Sequence, residues 1–170
     1  RGGALMEIVS LLDDTNSNSK TIRVLSINSN DGKLNYDSIN NVNGVRSTLL
    51  SSATAIDTNT LQMIALVHNY ARGKTFLYLN GALVTGQVQE KISPFNFSMG
   101  YTMMMNIPSS NTEYRDLLIY RAGLNVNEIQ YLFNNNNVVT GSLEIYSPLD
   151  LTDVRLNLAQ SLSCLQNGSN

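Results

Sequence analysis

The chain has no tryptophan, one cysteine, one histidine and three prolines among its 170 residues, and only 14% of it is charged. Each shortage closes something off. A lone cysteine, Cys164, forms no internal disulfide and no thiolate metal cluster, and reads as a plain thiol. The lone histidine, His68 in LVHNY, has no nucleophile elbow to make a triad with and reads as a structural strand residue. Eleven basic residues against thirteen acidic ones give a net charge of -2 with no basic stripe, which argues against nucleic acid. No apolar run reaches the roughly 18 residues of a membrane span. Charged residues normally make up about a quarter of a domain. The polar surface here must instead be Asn, Ser, Thr and Gln, a Lys-poor composition suited to an extracytoplasmic protein.

What is present is enough for one domain over residues 1–170, with 42% apolar residues to form a core and residues 150–170 expected as an irregular tail. The opening RGGALMEIVS carries no secretory leader and reads as an internal start, so the expectation is a fragment of a larger protein. Two sequons stand at Asn96 (NFS) and Asn167 (NGS).

Short segments rich in β-branched and aromatic residues recur along the chain, separated by Gly, Asn, Asp and Ser. They include KTIRVLSIN (20–28), KLNYDS (33–38), VRSTLLSS (45–52), LQMIALVHNY (61–70), KTFLYLNG (74–81) and GALVTGQVQ (81–89). ISPFNFSMGY (92–101), RDLLIYRA (115–122) and GSLEIYSPL (141–149) follow, and Met103-Met104-Met105 reads as strand or core. This spacing predicts an antiparallel sandwich or jelly roll. Ala71-Arg72-Gly73 and Asn80-Gly81 each sit between strong strands, which predicts a three-stranded meander over 61–89. Alternation puts Thr75, Leu77 and Leu79 on one face and Phe76, Tyr78 and Asn80 on the other. Both faces carry apolar bulk, so both should be covered.

From Asn125 the period changes from two to 3.6. Asn125 is a good N-cap, Glu128 completes a capping box, and Leu124 with Ile129 forms a hydrophobic staple. Val126, Ile129 and Phe133 supply an apolar stripe, and the asparagines at 134–137 can end the helix in left-handed geometry. So short a helix is marginal alone and must be docked on a sheet.

The order of residues around that helix resembles the closing signature of laminin G-like jelly rolls, in the concanavalin A-like lectin/glucanase superfamily. Leu117, Ile119, Tyr120, Leu124, Glu128, Ile129 and Leu132 match it in sequence, and Met63, Ala65, Val67, Tyr78, Asn80 and Gly81 match the family's central meander. The resemblance covers 61–133 well and 4–52 weakly. It implies an all-β, antiparallel two-sheet jelly-roll sandwich with one short helix near 125–133. It also implies a non-catalytic, lectin-like module, secreted or on the cell surface or in the periplasm, as found appended to secreted bacterial glycan-processing proteins. One position departs from the pattern: Arg115 stands where the family usually has an acidic residue, and Asp116 follows it.

Glycan-cleaving members of the superfamily use two carboxylates of one strand, alternately spaced so that both face one side about 5 Å apart. Glu113 and Asp116 lie three apart, Glu7 stands away from Asp13-Asp14, and Glu144 is isolated from Asp150. No pair fits, so no enzyme is expected, and a degenerate or active glycosidase stands only as a third reading behind the two non-catalytic ones. Sugar binding without Trp would rest on tyrosine rings near loops, Tyr36, Tyr70, Tyr101 and Tyr114, with amides from Asn69, Asn96, Asn106 and Asn111. No organic cofactor is indicated. The superfamily's calcium would find oxygen donors in DDTNSNS (13–19) and NSNDG (28–32), with Asp13, Asp14 and Asp31 as ligands. The same loops read more readily as turns whose side chains bond their own backbone. The alternative to a glycan partner is a neighbouring domain of the same polypeptide, packed against without any sugar.

Overall fold

The computed structural model describes residues 5–13, 20–40, 42–57, 59–84, 88–89, 101–105, 113–147 and 149. Tyr70 and residues 5–7, 11–13, 20–22, 88–89 and 101–105 are described by backbone alone. Strands β1 (Leu5–Asp13), β2 (Lys20–Asn28), β3 (Lys33–Ile39) and β4 (Arg46–Ala55) form an antiparallel meander. A later strand, β9 (Tyr101–Met105), returns to pair with the free side of β1, giving the order β4-β3-β2-β1-β9. That return after a long connection is the Greek-key step from which jelly rolls are built.

Between these pieces runs a second antiparallel sheet. β5 (Ile64–Asn69) pairs with β6 (Lys74–Leu79), and β6 pairs in turn with the two short strands β7 (Ala82–Leu83) and β8 (Val88–Gln89). The expected meander is present, with its third strand broken in two. Its first turn is a single 3-10 turn, Tyr70–Arg72, closed by Gly73 at φ 58. Its second turn places Asn80 (φ 51) and Gly81 (φ 76) in left-handed backbone, as a two-residue hairpin requires.

The two sheets face each other across one core. Ile8, Leu25, Leu34, Tyr36 and Leu50 from the first sheet meet Leu77 and Val84 from the second, with Ile64, Leu79 and Tyr114 packed at the margin. Burying each of the larger side chains contributes about 1.5–3 kcal/mol. The outer face of the second sheet carries Ala65, Val67, Phe76 and Tyr78, and helix α1 (Val126–Asn135) closes over it through Ile129. Both faces of β6 are therefore covered, as its sequence requires. β10 (Leu117–Tyr120) and β11 (Leu143–Ser147) form a separate two-stranded ribbon on either side of the helix in sequence.

The helix start follows its sequence closely. The Asn125 side chain accepts from the N–H groups of Asn127 and Glu128, at 2.9 and 3.1 Å, while Glu128 accepts from the Asn125 N–H at 2.8 Å. Leu124 and Ile129 meet in the same cluster, and Asn136 ends the helix at φ 54. The predicted stripe is only partly buried. Ile129 is fully enclosed, but Val126 and Phe133 remain 45% and 43% exposed. The middle turn of the helix meets the sheet, and Phe133 lies against Gly81 of the β6–β7 turn.

Candidate functional site

The face of the five-stranded sheet turned away from the core carries a polar cluster. In β3, alternation sends Leu34 and Tyr36 into the core and Asn35 and Asp37 to the opposite side. Register brings Val24 and then Ser10 beside Asp37, and sets Asn35 between Ser26 and Ser51. Ser10, Ser26, Asn35 and Asp37 are all buried, with Asp37 only 1% exposed. A charged group in that position needs a partner, because isolated burial of a carboxylate is costly.

The partner is Arg46, on the edge strand β4. Its Nε donates to Asp37 Oδ2 at 2.7 Å, and its Nη2 donates to Ser26 Oγ at 2.8 Å. The side chain thus spans β3 to reach β2, and it is 25% exposed where the Asp37 side chain is 2%. Ser26 Oγ also lies 3.4 Å from Asp37 Oδ2, and Ser51 Oγ donates to Asn35 Oδ1 at 2.7 Å. One valence is left over. Asp37 Oδ1 is buried with no hydrogen-bond partner among the described residues. Together these side chains form one hydrogen-bonded network whose carboxylate, amide and Ser26 hydroxyl are buried in the sheet and closed to a ligand.

These five residues were not among those the sequence singled out, and the sequence-predicted ones lie elsewhere. Tyr36 is a correction: at 2% exposed it is a core residue, and its ring offers no stacking face. Tyr114 is half-buried against the same core, and burial raises its hydroxyl pKa above the usual 10.0. Asn69 spends its side-chain oxygen on the Arg72 N–H at 3.1 Å, inside the hairpin turn. Asp31 does the same for Lys33 N–H at 3.1 Å, and Asn28 for Asn30 N–H at 2.9 Å, so NSNDG is a turn held by its own side chains. Tyr70 lies in the 3-10 turn, Tyr101 begins β9 and Asp13 ends β1, all described by backbone alone. Asp14, Asn96, Asn106 and Asn111 lie outside the described residues. Among the described residues, no three His, Cys, Asp or Glu side chains gather closely enough to hold a metal ion.

Other polar groups have structural duties. His68 Nδ1 and Thr75 Oγ1 lie 2.9 Å apart on paired positions of β5 and β6. Arg115, where the resemblance leads one to expect an acid, is exposed and pairs with Glu113 at 2.7 Å. Asp116 sits in left-handed backbone (φ 52) and accepts from Tyr146 Oη at 3.1 Å. No helix among the described residues is long and apolar enough to cross a membrane.

No protein-family model matches the sequence, and no curated protein matches it. Two solved structures are similar. One is a native heptameric SAP-like pentraxin from Limulus polyphemus, with 14% identity over 86% of this chain and 73% of that one, at a TM-score of 0.49. The other is an S-layer domain-containing protein (residues 221-444) from Clostridium thermocellum, with 21% identity over 79% of this chain and 66% of that one, at a TM-score of 0.38. Neither likeness carries a function to this chain.

Proposed function

We propose that the chain is a non-catalytic, laminin G-like glycan-binding module of a secreted or cell-surface protein. The observation that carries this reading is the antiparallel two-sheet sandwich in which Tyr78, Asn80 and Gly81 of the meander and Leu124, Glu128 and Ile129 of the capped, docked helix take up the places the laminin G-like resemblance implies. The groups that touch Asp37 are a guanidinium and a hydroxyl, whereas glycoside hydrolysis requires a second carboxylate at about 5 Å. Glycan-array and affinity-electrophoresis screening across plant, host and bacterial polysaccharides tests the reading. Binding to at least one glycan supports it, and clean negatives throughout overturn it.

A second reading rests on a different surface. Val126, Tyr131 and Phe133 on α1 and Ile145 and Tyr146 on β11 are exposed. Apolar surface of this kind suits a module that packs against a neighbouring domain of the same polypeptide. A fragment extended into that neighbour would then melt in one transition. Two separate transitions, one unchanged from the isolated domain, would count against it.

A further inference from the structure

The chain holds three Asn-Gly steps, Asn43-Gly44, Asn80-Gly81 and Asn167-Gly168, the last outside the described residues. The fold treats the first two in opposite ways. We infer that Asn43 is a site of spontaneous modification, losing its side-chain amide to water through a cyclic imide formed with Gly44, and that the fold protects Asn80 from the same reaction. A base takes the proton of the Gly44 amide, and the nitrogen bonds to Asn43 Cγ. The Cγ–Nδ2 bond breaks and ammonia leaves. Water then opens the imide ring at either carbonyl, which returns a hydrogen to Gly44 N and leaves an aspartate or an isoaspartate.

Asn43 and Gly44 are exposed in the β3–β4 turn, and a β-carbon at Gly44 would meet nothing within 4 Å, so base and water reach the step. Asn43 Oδ1 accepts from the Val45 N–H at 3.0 Å. That bond folds the side chain back along the Gly44 peptide and sets a donor where charge develops on Oδ1 as Cγ is attacked. The 2.8 Å bond from Gly44 N–H to Asn40 O has to open first, at the exposed tip of a hairpin. At Asn80 the surroundings are reversed. Gly81 is buried against Phe133. The Asn80 side chain reaches across to the entry of β5, where Oδ1 accepts from Met63 N–H at 2.9 Å and Nδ2 donates to Gln62 Oε1 at 2.6 Å. Electrophile and leaving group are both held away from the Gly81 amide.

The aspartate product fits the turn in which it forms. The β2–β3 turn has the same plan, with Asn28, Asp31 and Gly32 in the places of Asn40, Asn43 and Gly44. There Asp31 Oδ1 accepts from Lys33 N–H at 3.1 Å, and Gly32 N–H donates to Asn28 O at 2.7 Å. Mass spectrometry of the two peptides, after storage in mildly alkaline buffer with and without unfolding urea, tests the inference. Amide loss at Asn43 should outrun loss at Asn80 at least tenfold in the folded protein and come close to parity in urea. Asn43→Asp should melt as the parent does. Equal rates in the folded protein, or faster loss at Asn80, would overturn the inference. So would an Asn43 that survives in the folded protein while the unfolded chain loses it. A marked drop in the melting temperature of Asn43→Asp would overturn the claim that the turn accepts its product.

Discussion

Asp37 and Arg46 depend on each other more than on any other residue near them. Removing Arg46 leaves a carboxylate buried without its counter-charge, so Arg46→Ala should cost about 3 kcal/mol in chemical denaturation. The double replacement Asp37→Leu, Arg46→Met should cost far less, because it removes both charges together. The pair also shows why the site was harder to read than the core. Asn35 and Asp37 were legible as same-face neighbours from LNYDS alone. Arg46 was not. Counting back from core-facing Leu50 by strict alternation puts Arg46 in the core as well. The pairing slips between Tyr36 and Asp37, where Leu50 and then Thr48 are the partners, and that one extra residue turns Arg46 to the opposite face. In the turn between β6 and β7, Gly81 is fixed by two demands. Its φ is 76, and a β-carbon there would stand 3.3 Å from the Phe133 ring and Cβ. Gly81→Ala should therefore destabilise by more than about 1 kcal/mol, read from the denaturation midpoint.

The elements that sequence resolved best are those fixed by local chemistry. The capping box at Asn125 and Glu128, the left-handed Asn136 and the Asn80-Gly81 turn all depend on residues within four positions of one another. Asn80 does more than turn the chain. It exchanges backbone and side-chain hydrogen bonds with Met63, at 2.8 and 2.9 Å, and so pins the entry to β5. Asn125→Ala should cost about 1 kcal/mol through lost caps. Ile129→Ala should cost about 2–5 kcal/mol, because it empties the contact that holds α1 to Val67 and Tyr78. If the helix is a docked plug, the second variant also lowers helical signal more than the first, a comparison that circular dichroism makes directly. The break between β7 and β8, and the exposure of Val126 and Phe133, were not legible. They depend on where one element ends against another.

At the scale of the molecule, the antiparallel sandwich was visible in the spacing of strands and turns, and the Greek-key return of β9 in none of it. Nothing local to Tyr101–Met105 specifies that it pairs with β1 some ninety residues earlier. Tyrosines at the margins of these layers give the assembly an alkaline limit. Burial raises the pKa of Tyr78, Tyr114 and Tyr120 above 10.0. The folded state therefore holds their protons more tightly than the unfolded chain does. Stability is unaffected below about pH 9 and falls as pH rises from the unfolded value toward the raised ones. Melting temperature followed from about pH 9 to 11, beside tyrosinate absorbance, should show both changes together. A melting temperature flat across that interval would contradict it.

Edge strands ordinarily fray first, since one side of their ladder is held by solvent alone. In β4 that freedom is checked by Arg46, whose head group reaches two strands inward. Peeling the margin away would strand an ion in the interior, so its amides should exchange with deuterium almost as slowly as those of β3. Among the described residues β4 is the border of this sheet, and a side chain anchors it where the backbone ladder ends.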